Sequence, residues 1–145
     1  MIVSGVAHAS LTVGDMARSI AFYRDILGME LVAESEGSGE VVEAILGMPG
    51  AHIKAAFLKS GDQMLEFIQY LSPEGKPYDR RTCDTGPCHV AFWVKDIHKA
   101  YKTLSARGVK FKSAPQAFEM EGKQSWACYL TDPDGITVEF MQLPE

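Results

Sequence analysis

The alternation of apolar and polar residues carries the chain twice through the same series of elements. Between residues 3 and 13, Ala7, Ala9, Leu11 and Val13 fall on one side of an extended chain, and Val6, His8, Ser10 and Thr12 on the other. That two-residue period predicts a strand. Asp15 is placed to accept from the free amides of a first helical turn. Met16, Ile20, Tyr23 and Leu27 then recur at helical spacing, with Gly28 as the stop. Met29 to Ala33 reads as a second strand. Glu34 to Gly39 is polar and glycine-bearing and reads as irregular. Val41 to Leu46 suits a short helical turn, broken by Met48-Pro49-Gly50. Two strands follow, His52 to Lys59 and Gln63 to Tyr70, around a tight turn at Ser60-Gly61-Asp62. In the second of them Leu65 and Phe67 face one way, and Met64, Glu66, Ile68 and Tyr70 the other.

Ser72 to Pro87 is rich in proline, glycine and charge and lacks a periodic apolar pattern, so it reads as a linker. Beyond it the first half is replayed. His89, Ala91 and Trp93 alternate with Val90, Phe92 and Val94; Asp96 caps a helix with Ile97, Tyr101 and Leu104 as its buried stripe; Gly108 ends it. Val109 to Lys112 reads as a strand and Ser113 to Gly122 as irregular. Ser125 to Leu130 and Ile136 to Gln142 form a closing hairpin about Asp132-Pro133-Asp134-Gly135.

An offset of 81 carries His8 to His89, Val13 to Val94, Asp15 to Asp96 and Arg18 to Lys99. An offset of 73 carries Leu65-Glu66-Phe67-Ile68-Gln69 onto Val138-Glu139-Phe140-Met141-Gln142. Two registers, one at each end of the segment, identify an internal repeat. Each copy is a strand, a helix and three strands. The expected organisation is one domain over 1–145, built from modules 1–71 and 88–145 with a linker at 72–87.

Composition narrows the function classes. The chain has 145 residues, 46% hydrophobic and 23% charged, as expected of a soluble globular domain. Its net charge of -5, without a basic cluster, argues against a nucleic-acid partner. Met1 to Gly5 lacks the pattern of a secretory signal, and no apolar run approaches the ~20 residues of a membrane helix. Cys83, Cys88 and Cys128 are an odd number, simplest as free thiols in a reducing cytoplasm.

Candidate chemistry sits in the repeated stretches. Each places a carboxylate in an apolar strand, where an unpaired charge is costly to bury. On all four strands an apolar residue (Leu11, Phe67, Phe92, Phe140) lies opposite the ionisable one, so His8, Glu66, His89 and Glu139 belong to the faces that do not pack the helices. A trough lined by those faces would gather two imidazoles and two carboxylates, a suitable donor set for a divalent first-row metal. Trp93, Trp126, Tyr70 and Met48 are candidate pocket residues.

The chain resembles the vicinal oxygen chelate superfamily, which includes glyoxalase I, methylmalonyl-CoA epimerase, extradiol dioxygenases and the fosfomycin and bleomycin resistance proteins. The resemblance rests on His8-Ala9-Ser10-Leu11-Thr12-Val13-Gly14-Asp15 with Phe22-Tyr23 and Leu27-Gly28. It is carried further by His89-Val90-Ala91-Phe92-Trp93-Val94, and by Asp132-Pro133-Asp134-Gly135 leading into Val138-Glu139-Phe140. It implies an α+β fold of two tandem βαβββ modules forming a curved mixed sheet around a metal-binding cleft.

The order His, Glu, His, Glu is similar to that of glyoxalase I. By that resemblance His8, Glu66, His89 and Glu139 hold one divalent ion per site (Ni, Zn, Co, Mn or Fe), and Glu139 or Glu66 is the catalytic base. The implied activity is a lyase or isomerase reaction on a small vicinal-oxygen substrate through a metal-stabilised enediolate, in a homodimer. Alternatives within the superfamily are an Fe(II) extradiol dioxygenase and a non-catalytic binding protein of the bleomycin-resistance kind. Bacterial-type glyoxalase I commonly has an arginine four residues after the first histidine. Here Thr12 stands there, which separates the metal set from a glutathione substrate.

Overall fold

The computed structural model describes residues 2–144 and divides between Pro77 and Tyr78 into two compact units. Met1 and Glu145, the ends of the expected domain, lie outside the described residues. The first unit runs β1 (Ala9–Thr12), α1 (Met16–Ile20), β2 (Glu30–Ser38), α2 (Glu40–Leu46), β3 (His52–Ser60) and β4 (Gln63–Ser72). Its sheet has the order β1-β4-β3-β2, with β1 parallel to β4 and the other neighbours antiparallel. The second unit runs β5 (Val90–Trp93), α3 (Ile97–Ala106), β6 (Lys110–Phe111), β7 (Gln116–Met120), β8 (Lys123–Thr131) and β9 (Thr137–Gln142). Here β5 lies parallel to β9, β9 pairs with β8, and β8 takes both β6 and β7. Each unit is thus a mixed α+β module of the expected βαβββ type.

The helices form where the capping residues place them. The Asp15 side chain accepts from the Arg18 amide at 2.9 Å, and that of Asp96 from the Lys99 amide at 2.8 Å. Buried Leu11, Ile20, Tyr23, Leu58, Leu65 and Phe67 make the first core; Ile97, Leu104, Leu130, Val138 and Phe140 make the second. Burial of such side chains stabilises by roughly 1.5–3 kcal/mol each. Phe67 meets Tyr23 of the helical segment with ring centroids 4.7 Å apart, so the strand face opposite Glu66 is the one that packs the helix.

Four expectations need correction. The strand expected over residues 3–13 is confined to Ala9–Thr12, so His8 stands just ahead of it. The helix expected over Met16–Leu27 changes form: α1 continues as a π-helical segment, Ala21–Ile26, with the Leu27 amide bonded to the Phe22 carbonyl at 3.1 Å. The wider turn accompanies burial of both Phe22 and Tyr23, sequence neighbours that a regular helix would spread about 100° apart. Glu34 to Ser38 is strand rather than irregular, because β3 supplies a partner for each of these residues, from Ala56 opposite Glu34 to His52 opposite Ser38. As the sheet's edge, β2 accommodates exposed charge without cost to the core. Within Ser113–Gly122, Gln116–Met120 forms β7, an antiparallel partner for β8.

The Asp132-Pro133-Asp134-Gly135 turn is held by the Asp132 carboxylate, which accepts from the amides of Asp134 at 2.9 Å and Ile136 at 2.8 Å. Gly135 takes φ +82°, open to glycine at little cost. Among the described residues no helix is long and apolar enough to cross a membrane.

Candidate metal-binding residues

In the first unit Ser10 is the register partner of Glu66, and in the second Ala91 is the partner of Glu139. His8 and His89 stand two residues before those partners, each directly ahead of its strand. Strand alternation therefore puts each histidine on the same face as its glutamate. The side chains meet: His8 Nε2 lies 3.3 Å from Glu66 Oε2, and His89 Nε2 lies 3.0 Å from Glu139 Oε2. The histidine side chains are 38% and 42% exposed and the carboxylates 16% and 14%, so each pair is accessible from solvent.

Pairs of this exposure contribute about 0–1 kcal/mol, too little for stability to explain their duplication. Their separations suit two donors of one ion. With metal bonds of ~2.0–2.2 Å, an imidazole nitrogen and a carboxylate oxygen stand about 2.9 Å apart at a right angle and about 3.4 Å apart at a tetrahedral one. Both observed distances fall in that interval. Each pair provides two donors; among the described residues no cluster of three or more His, Cys, Asp or Glu side chains is found.

An aromatic residue completes each pair. Phe57, the register partner of Glu66, meets the His8 ring edge-on at 5.6 Å. Tyr129, the partner of Glu139, meets the His89 ring at 5.3 Å. The Lys112 ammonium lies 5.7 Å from the centre of the Tyr129 ring. Burial, with the Glu139 charge adding to it, pushes the Tyr129 hydroxyl above the usual tyrosine range. The same two causes push the Cys128 thiol up to about 11.

A second repeated contact ties each glutamate-bearing strand to its helix. Gln69 Oε1 accepts from the Met16 amide at 2.9 Å, and Gln142 Oε1 from the Ile97 amide at 2.7 Å. These glutamines, like Phe57 and Tyr129, escaped the sequence reading. Gln69 and Gln142 left a signal, since each closes its copy of the repeated five-residue stretch.

Other candidates fall elsewhere. By strand alternation Tyr70 and Trp93 share the faces of Glu66 and Glu139. Trp126 lies on the opposite face and meets His98 of α3, ring centroids 4.5 Å apart. His52 pairs with Glu36 at 2.6 Å, on the face away from Glu66. Met48 follows α2 and is partly buried.

Residues 5–140 match the model of the Glyoxalase/Bleomycin resistance protein/Dioxygenase superfamily. A lactoylglutathione lyase of Haemophilus influenzae is 30% identical over 139 residues, spanning 94% of this chain and 91% of that protein. A glyoxalase family protein from Bacillus cereus superposes with a TM-score of 0.80 over 100% of this chain and 99% of its own, at 20% identity. The fosfomycin resistance protein FosX of Listeria monocytogenes, solved with Mn(II) and sulfate, gives 0.65 at 19% identity, covering 99% of this chain and 95% of its own. Its repeated strand–helix modules, its paired histidines and glutamates and these matches agree: the chain belongs to the glyoxalase/bleomycin resistance/dioxygenase superfamily.

Proposed function

We propose that this chain is a metal-dependent lyase or isomerase of the glyoxalase type. Its ligands would be His8, Glu66, His89 and Glu139, presented to one divalent ion within a chain or across a homodimer. The observation that carries the reading is the recurrence of a histidine–glutamate pair at the same register step of both units, at donor separations that suit coordination. The chemistry of the donors agrees, because two imidazoles and two carboxylates favour a first-row divalent ion over a soft or purely oxygen-seeking one. Such an ion would supply Lewis acidity toward two neighbouring oxygens of the substrate.

The residues of the chain supply the rest. The two histidines are held by aromatic neighbours, which limits the orientations their rings can take. Each glutamate sits within reach of its histidine nitrogen and keeps some exposure, so that a carboxylate can take a proton from one carbon and return it to the next. Ser10 and Ala91, their strand partners, are small and leave that approach clear. Thr12 stands where an arginine would serve a glutathione carboxylate, so the reading extends to a small vicinal-oxygen substrate and leaves glutathione aside. Three free thiols suit a reducing cytoplasm as the place of action.

The test is proton exchange. Metal-loaded protein incubated in D2O with hemithioacetals, α-hydroxyketones and acyl-CoA epimers should wash deuterium into the carbon beside the carbonyl of at least one of them. Glu66→Gln and Glu139→Gln should each slow the exchange, and, with activity normalised to bound metal, the one that abolishes it identifies the base. Metal-loaded wild-type protein that exchanges none of these substrates would remove the lyase/isomerase reading.

A further inference from the structure

Trp93 is unusual on this strand. It ends β5, paired in register with Met141, and is 65% exposed. Large aromatic side chains are ordinarily drawn inward, and leaving this one open forgoes the burial of a large apolar surface. Alternation places it with His89 and Ala91 on the face that carries Glu139. It stands two residues beyond Ala91, and Ala91 is the partner of Glu139, so the indole is one row from the carboxylate, about 7 Å along the strand. The methyl of Ala91 leaves the intervening space open. Across the sheet the same row continues through Met141 to Ala127, without a charge. The repeat equates Trp93 with Thr12, whose row in the first unit runs through Ile68 to Ala55 and contains no aromatic residue.

We infer that Trp93 is a stacking platform that selects a substrate whose neighbouring oxygens are carried on a six-membered ring. A ring laid over the indole extends toward the His89–Glu139 pair, whereas an open chain gains little from a flat aromatic surface. The row's neutrality suits an uncharged ring. Trp93 is thus a specificity-determining residue, and the inference rests on the metal-dependent reading above.

The chain has two tryptophans, so Trp126→Phe leaves Trp93 as the sole indole reporter, and the wild-type chain provides a second reading if that variant folds poorly. Metal binding is first measured by calorimetry. The metal-loaded protein is then titrated with 2-hydroxycyclohexanone and with acetoin, a cyclic and an open-chain hydroxyketone, exciting at a wavelength where neither absorbs. The ring compound should quench or shift Trp93 emission and bind about three- to tenfold tighter than acetoin, the range expected for one aromatic contact. Trp93→Ala should bring that ratio near one, and Trp93→Phe should restore most of it. Equal affinities in wild type and Trp93→Ala, or a Trp93 that acrylamide cannot reach in the assembled protein, would overturn the inference. If calorimetry shows no metal, the metal-dependent reading fails on its own, and the ratio measured on metal-free protein still decides the role of Trp93.

Discussion

Gln142 accepts a hydrogen bond from the backbone amide of Ile97 at 2.7 Å, joining the end of the Glu139 strand to the first turn of its helix across 45 residues. Gln69 and Met16 do the same across 53 residues in the other unit. Each bond satisfies an amide that the helix itself leaves without a partner. It also fixes the strand that presents the glutamate against the helix that covers its other face. Removing the acceptor should cost about 1 kcal/mol per site. Gln142→Ala and Gln69→Ala should each lower the unfolding free energy by that amount, read as a lower urea midpoint at unchanged slope. Gln142→Glu, which keeps an acceptor and adds negative charge at a helix start, should remain near wild type.

The aromatic partners should matter to metal binding through the ring they hold. Tyr129→Ala removes the surface against which His89 is oriented and should weaken divalent-metal affinity by roughly tenfold, the low end for groups that orient a ligand. Tyr129→Phe retains the ring and should stay within about twofold. Calorimetric titration of the three proteins separates orientation by the ring from any part played by the hydroxyl.

The thiols should divide two to one. Cys83 and Cys88 are exposed and Cys128 is buried, all three free. A chromogenic disulfide reagent should modify two thiols per folded chain within minutes and the third only on unfolding. Fast reaction of all three would contradict the burial of Cys128 on β8, opposite Phe140.

Alkaline pH should weaken the fold through the same residue. Burial first, and the Glu139 charge second, raise the Cys128 thiol from its ordinary 9.0 to about 11. Between those values the unfolded chain releases a proton that the folded chain keeps, so stability falls as pH rises through that window. The Cys128 contribution is complete below pH 9 and is lost by about pH 11, at most on the order of 2–3 kcal/mol before solvent screening reduces it. Urea unfolding of wild type and Cys128→Ala at several pH values isolates it: the difference between the two curves should shrink steeply from pH 9 to 11.

Much of the site was legible because the chain states it twice. The offsets that align His8 with His89 and Glu66 with Glu139 also align the capping aspartates, and one strand period then assigns all four ionisable residues to the faces away from the helices. Phe57 and Tyr129 were not legible in the same way. They reach the glutamates across hairpins, and which residue lies opposite depends on the turn, Ser60 pairing with Gln63 in one unit and Thr131 with Thr137 in the other. Glu34 to Ser38 was missed because an exposed edge strand needs no apolar alternation; only its partner β3 defines it. Trp126 shows the opposite limit. An aromatic residue on a strand beside the site in sequence turned out to face the helix, where it packs against His98.

The most direct measurement is the metal content of the purified protein. After dialysis against a weak chelator and re-equilibration with each of Ni, Zn, Co, Mn and Fe(II), elemental analysis should find close to one divalent ion per chain for at least one metal. His89→Ala and Glu139→Gln, and equally His8→Ala and Glu66→Gln, should reduce that occupancy sharply, since each removes one of four donors. Wild-type protein that retains no metal under any of these conditions, or variants that retain as much as wild type, would contradict the assignment of the two histidine–glutamate pairs as a metal centre.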